Sequence, residues 1–362
     1  MPNRLSRGFH AFKRRAMQVR NFFRGHGSSG VELLDHLRDR SAHAVFAARA
    51  RYLKSRSEEQ VNQILLNTCS LSPALPTIAH WADWSLTRYG FTGNKRRQPA
   101  LVFVKADSDY LIRFYKEYLP LIGPQTRYAL VTGDSDRTIP NQVDLRFPRH
   151  DDEVLAMIKA IHDDPRLIHW YSLSVDEAWP KLSPLPLGFW EKGGTELYKN
   201  VLHSARPRSI LDRQIKVFCA HRTRGGPQWH QRQLVTKKAL GDWKEVVEYR
   251  ESVPSSEFFD TISRYAFVMC VGGGGLDPSP KAWTALLAGC IPLVEANPTT
   301  EIYRGLPVIF VDDWLSLELD IGVLEKWSHD FAPYFDEPGQ RKAVLEKLSM
   351  GYWLRYVRAG CR

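Results

Sequence analysis

Residues 266–288 read AFVMCVGGGGLDPSPKAWTALLA: an apolar run, a block of glycines, then a segment with helical spacing. The run Ala266–Val271 is the length of a buried strand, and Lys281–Ala288 has good helix formers at helical intervals. A strand that enters a helix through a glycine turn is half of a βαβ unit, and it predicts a parallel sheet. Such a turn also suits a phosphate. Glycines let a ligand approach the backbone, amide N–H groups point outward, and the helix start favours negative charge. Gly273, Gly274 and Gly275 are therefore candidate ligand contacts, with a tight structural turn as the competing reading, and Asp277 at the end of the turn is counted with them as a candidate donor contact. The turn is not a P-loop, because no Gly-Lys-Ser/Thr follows. Asp277 and Pro278 also exclude the dinucleotide fingerprint.

The same alternation extends to both sides. Gln214–Ala220 reads as a strand and Gln228–Leu240 as a helix; Ile291–Val294 and Val308–Val311 continue the strands to a turn at Asp312-Asp313-Trp314. In the first half, Ala100–Val104, Arg127–Thr132 and Leu167–Tyr171 read as strands, with a helix over Tyr110–Ile122. Pro180–Gly188 (PKLSPLPLG) begins the link between halves. A helix is expected over Val31–Ser55, after the Gly/Ser break at Gly25–Gly30. Another is expected over Arg341–Tyr356, placed to pack back on the first domain. The expected division is a basic segment at 1–30, a Rossmann-like domain at 31–190, a second at 191–330 and a C-terminal helix at 331–362.

A chain of 362 residues with 43% hydrophobic and 25% charged content is long enough for two cores and is not globally disordered. Its five cysteines are scattered, none in a CxxC pair, which favours a reducing compartment over a disulfide framework. No apolar run reaches membrane-spanning length, so a cytoplasmic protein is expected, peripheral to a membrane at most. The formal charge is +10. Its first 25 residues carry Arg4, Arg7, Lys13, Arg14, Arg15, Arg20 and Arg24 among phenylalanines, with no acid. That segment could lie on an anionic membrane surface or be a solvated tail. Nucleic acid is the weaker partner, because no recognition module follows.

Positive charge also gathers after the strand Gln214–Ala220, at Arg222, Arg224 and, further on, Arg232. Ligands of open α/β sheets bind at the carboxyl ends of strands, and arginine there can neutralise a pyrophosphate as a leaving group. Asp107, Asp134 and Asp136 follow first-half strands, where a carboxylate could take a proton from an acceptor hydroxyl. Such residues more often cap helices or hold turns. Asp134-Ser135-Asp136 is read as a turn, and no metal site is expected.

Several segments in linked order resemble the exostosin-like glycosyltransferases. They are Arg264-Tyr265-Ala266-Phe267-Val268, Gly274-Gly275-Leu276-Asp277, Lys281-Ala282-Trp283-Thr284-Ala285-Leu286, Gly289-Cys290-Ile291-Pro292-Leu293-Val294 and Leu306-Pro307-Val308. Phe103-Val104-Lys105, Leu119-Pro120, Thr132-Gly133-Asp134-Ser135-Asp136, Ile139-Pro140 and Leu185-Pro186-Leu187-Gly188 extend the match into the first half. The resemblance implies an α/β GT-B fold, two Rossmann-like domains with parallel sheets facing a central cleft. It also implies metal-independent transfer from a UDP- or GDP-linked sugar to a glycan or lipid-linked acceptor in surface polysaccharide assembly, with no separate cofactor. Lys281 stands where the family has Arg, one extra residue separates Asp277 from Trp283, and Thr284 replaces a Glu directed at the donor. Those departures keep open a second reading, an inactive binding or scaffold protein on the same fold.

Overall fold

The computed structural model describes residues 44, 47, 48, 76–189, 201, 209–278 and 280–361. The basic segment 1–30 and nearly all of the helix expected over Val31–Ser55 lie outside them. The chain is α/β, built on two mostly parallel sheets. The first sheet contains β1 (Trp84–Thr87), β2 (Gly90–Thr92), β3 (Leu101–Lys105), β4 (Tyr128–Gly133), β5 (Leu167–Ser172) and β6 (Leu182–Pro184) in the order β2-β1-β3-β4-β5-β6. Only the edge pair β1–β2 is antiparallel. The helices α1 (Pro76–Trp81), α2 (Ser108–Arg113) and α3 (Asp152–His162) accompany this sheet.

The second sheet is parallel throughout. It contains β7 (Gln214–Ala220), β8 (Val247–Arg250), β9 (Tyr265–Cys270), β10 (Ile291–Glu295) and β11 (Ile309–Val311), ordered β8-β7-β9-β10-β11. The winding therefore reverses between β7 and β9, the kind of point at which open α/β sheets bind ligands. The helices α4 (His230–Leu240), α5 (Ser255–Ile262), α6 (Pro280–Ala288), α7 (Ile321–Asp336), α8 (Pro338–Lys347) and α9 (Met350–Ala359) complete the fold.

Period-two alternation explains why these apolar runs become buried strands. Val217, Cys219, Phe267 and Met269 face a core made with Val235 and Ala239 of α4 and Leu324 and Phe335 of α7. Their neighbours Phe218, Val268 and Cys270 point the other way, against α6. That second cluster also takes in Leu101, Phe103, Val131 and Tyr171 of the first sheet and Trp353 and Leu354 of α9. One hydrophobic core therefore runs through both halves. α9 lies on the first sheet through the ring pair Tyr171–Tyr356, 5.5 Å apart.

The carboxyl ends of the two sheets meet. Val175, after β5, donates its N–H to Thr299 Oγ1 at 2.7 Å, and the same hydroxyl returns a bond to the Val175 carbonyl at 2.8 Å. Leu145 N–H reaches Gln228 Oε1 at 2.8 Å. These bonds fix the second sheet's glycine turn opposite the loops of the first.

Several expected elements shift. The helix expected over Tyr110–Ile122 is α2 followed by a π-turn (Phe114–Tyr118) and a 3-10 turn (Leu119–Leu121). The single helix expected over Arg341–Tyr356 is two. The Ser349 hydroxyl accepts the Tyr352 N–H at 3.2 Å and starts α9 afresh. Part of the linker Pro180–Gly188 is β6, an edge strand, a position where the missing N–H of Pro184 is tolerated.

Candidate functional site

At the carboxyl ends of β7 and β9, the turn Val271–Gly275 and the start of α4 come together. Arg232, in the first turn of α4, donates its Nε to the Gly272 carbonyl at 2.9 Å. Gln228 donates to the Gly273 carbonyl at 2.8 Å. With the carbonyls held from behind, the turn has a fixed shape. A Cβ at Gly273 would sit 2.6 Å from Arg232 Nη2, so the glycine lets the guanidinium lie directly against the turn. Burial lowers the Arg232 pKa, and the nearby Arg224 lowers it further. Desolvated positive charge of this kind has a strong demand for an anion.

Lys281, in the first turn of α6, crosses beneath the turn and donates to the Ala220 carbonyl at the end of β7, 2.7 Å away. Burial, assisted by Arg232, lowers its pKa from 10.5 to about 8. His221 is neutral, because burial and then Lys281 push it down to about 3. Its Nε2 lies 3.0 Å from the Arg232 carbonyl and 2.9 Å from Thr236 Oγ1. A carbonyl can only accept, so Nε2 carries the hydrogen, and the imidazole is a brace for α4. Thr284 Oγ1 bonds back to the Pro280 carbonyl at 2.9 Å, within its own helix. Asp277 is buried and accepts the Leu187 N–H at 3.4 Å, which ties the interdomain link to the glycine turn. Arg222 and Arg224 are exposed, and Arg224 lies 4.9 Å from the Trp229 ring centre.

Three residues of this site carry no sequence motif that singles them out: Asp144, Arg146 and Trp229. Arg146 Nη2 lies 2.6 Å from Asp144 Oδ2 and Nε lies 3.0 Å from Oδ1, a two-pronged pair. The same Nη2 reaches Asp136 at 2.8 Å. Asp144 Oδ2 in turn accepts the Gly275 N–H at 2.6 Å. Burial pushes the Asp144 carboxyl up, but hydrogen bonds from Arg146 and Gly275 prevail and hold it below its ordinary value. Arg146, Arg224 and Arg232 all lie within 5.8 Å of the centre of the Trp229 ring. One aromatic ring thus gathers three guanidiniums around it. A readable signal did exist. Asp164-Pro165-Arg166 forms the same Asp-x-Arg chelate, with Nη2 to Oδ2 at 2.6 Å. The spacing therefore encodes the pair, but not its meeting with the glycine turn.

The structure places the other acids near the first sheet's carboxyl edge. Asp107 accepts Ser135 Oγ at 2.6 Å and Arg137 Nε at 3.1 Å, and pairs with Lys105. Asp134 stands in the left-handed region at φ 56°. Burial raises its pKa, against the pull of Arg88 and Lys105. Asp107 and Asp136 are each engaged by arginine, whereas Asp134 makes no ion pair among the described residues. No three His, Cys, Asp or Glu side chains group as a metal site among the described residues. Nor is any described helix long and apolar enough to cross a membrane.

No family model matches the chain, and no curated protein does. A chain of the solved GtfA/B complex superposes with a TM-score of 0.32 at 8% identity, over 74% of this chain and 58% of that one. This chain thus spans less than two thirds of that neighbour. At this level the likeness is one of broad outline, and the fold assignment rests on the strand order.

Proposed function

We propose that the chain is a glycosyltransferase that moves a sugar from a nucleoside-diphosphate donor, UDP- or GDP-linked, to a glycan or lipid-linked acceptor. The observation that carries this is the convergence of Arg232, Lys281 and the Gly272–Gly275 turn at the reversal point of the second sheet. In this reading Arg232 and Lys281 neutralise the diphosphate as it departs, beside the N–H groups of the turn. Asp134, which of Asp107, Asp134 and Asp136 is the one in no ion pair among the described residues, takes the acceptor hydroxyl proton. The hydroxyl oxygen bonds to the anomeric carbon as the bond to the donor phosphate breaks. The basic segment 1–30 holds the enzyme at an anionic membrane surface. A calorimetric titration of UDP and GDP tests the placement: Arg232→Ala should weaken binding about tenfold or more. Unchanged affinity would refute it.

One observation favours a second reading, a binding protein without turnover. The Thr284 hydroxyl is spent on the Pro280 carbonyl, so it offers a donor nucleotide little. Slow donor hydrolysis in the absence of acceptor separates the two, because only the transferase shows it.

A further inference from the structure

The Gly275 N–H, a donor that a strand-to-helix glycine turn would offer to phosphate, is already taken by a carboxylate from the opposite domain. Asp144 fills that place with a fully buried side chain, and Arg146 grips it from the other side. The ligand set around this carboxylate is two backbone N–H groups, Gly275 at 2.6 Å and Arg146 at 2.9 Å, and the two-pronged Arg146 guanidinium, a set that also suits phosphoryl oxygens. Gly274 has no Cβ to keep the Arg146 guanidinium off the turn. Gly275 is equally tight, because a Cβ there would lie 2.7 Å from Ser174 Oγ. Asp164–Arg166 has the same local chelate, yet its Arg166 Nη1 reaches the Ile122 carbonyl within the first half. Only the Asp144 pair is delivered across the domain boundary.

We infer that Asp144 is an internal surrogate for phosphate, and that a phosphate-bearing ligand displaces it from Gly275 and takes over Arg146. The inference deepens the transferase reading and rests on it for the identity of the ligand. Exchange is a swap of one anion for another at fixed donors, so the turn need not refold. Asp136, 2.8 Å from Arg146, keeps that guanidinium near the turn while Asp144 leaves. Arg146 thereby becomes a ligand contributed by the first half, so binding is coupled to how the halves sit together.

Inorganic pyrophosphate is the probe, titrated calorimetrically into the full chain at low salt. The variants are Asp144→Asn and the double variant Asp144→Asn/Arg146→Gln. Removing a like charge from the site should tighten pyrophosphate binding about tenfold in Asp144→Asn, within the usual range of coupling between sites. The double variant should lose that gain. Equal affinity in wild type and Asp144→Asn, or no binding in either, overturns the exchange. Should Asp144→Asn fail to fold, Arg146→Gln alone decides. It should bind pyrophosphate about fivefold more weakly than wild type, and unchanged binding refutes the idea. If Asp144→Asn tightens pyrophosphate while UDP and GDP bind to neither protein, the exchange stands and the nucleotide-sugar reading falls.

Discussion

Lys281→Met should make the protein more stable at neutral pH while removing a proposed ligand contact. The Lys281 pKa falls from 10.5 to about 8, a drop of about 2.5 that reflects burial first and Arg232 second. Because the native pKa lies below the unfolded one, the unfolded chain binds more protons, and stability rises with pH between about 8 and 10.5. At pH 7 the charged lysine costs the native state about 3 kcal/mol, and at pH 9.5 about 1 kcal/mol. The Met side chain keeps the volume and loses the bond to the Ala220 carbonyl, a loss of about 1 kcal/mol. The net gain expected from Lys281→Met is therefore about 2 kcal/mol at pH 7 and close to nothing at pH 9.5. Urea unfolding of both proteins at the two pH values measures it, and the difference between proteins cancels the titration of other groups. A difference that does not change with pH, or a Met variant less stable at pH 7, would refute the reasoning. The proposed anionic ligand would offset that cost.

Nucleoside-diphosphate affinity should fall as pH rises through about 8, where Lys281 loses its proton, and Lys281→Met should flatten that profile in a calorimetric pH series. Gly275→Ala places a Cβ against Ser174 at φ +65°, so a loss of about 1–3 kcal/mol is expected from thermal or urea unfolding. Trp283→Ala opens the core shared by both halves, where Trp283 is 1% exposed and sits 6.3 Å from the Trp353 ring, and should cost about 3–5 kcal/mol by urea unfolding.

The second half was far more legible than the first, for a physical reason. A parallel sheet buried on both faces reads as short continuous apolar runs, and Gln214–Ala220 was placed residue for residue. The glycine turn stood out because it breaks such a run, whereas Lys281 was marked only by the family resemblance. The β1–β2 hairpin was not read, since strands of 4 and 3 residues carry too little periodicity. α7 was missed although Asp320 caps it, its side chain accepting the Val323 N–H at 2.8 Å. For Asp144 and Arg146 the spacing encodes their pairing, but their place at the glycine turn was not legible, for a different reason. Their contact with Gly275 spans the domain boundary, and nothing local to Asn141–His150 reports what lies opposite. Cys219, Cys270 and Cys290 sit in or beside the buried strands β7, β9 and β10. They are buried thiols, and burial raises the pKa of each to between about 11 and 12.

The central claim is that phosphate is bound at the carboxyl ends of β7 and β9. A crystal structure of the full chain with UDP or GDP tests it most directly. The diphosphate should lie on the N–H groups of Gly272–Gly275, within hydrogen-bond reach of Arg232 and Lys281. A nucleotide seated anywhere else, with those three elements unchanged, would contradict it.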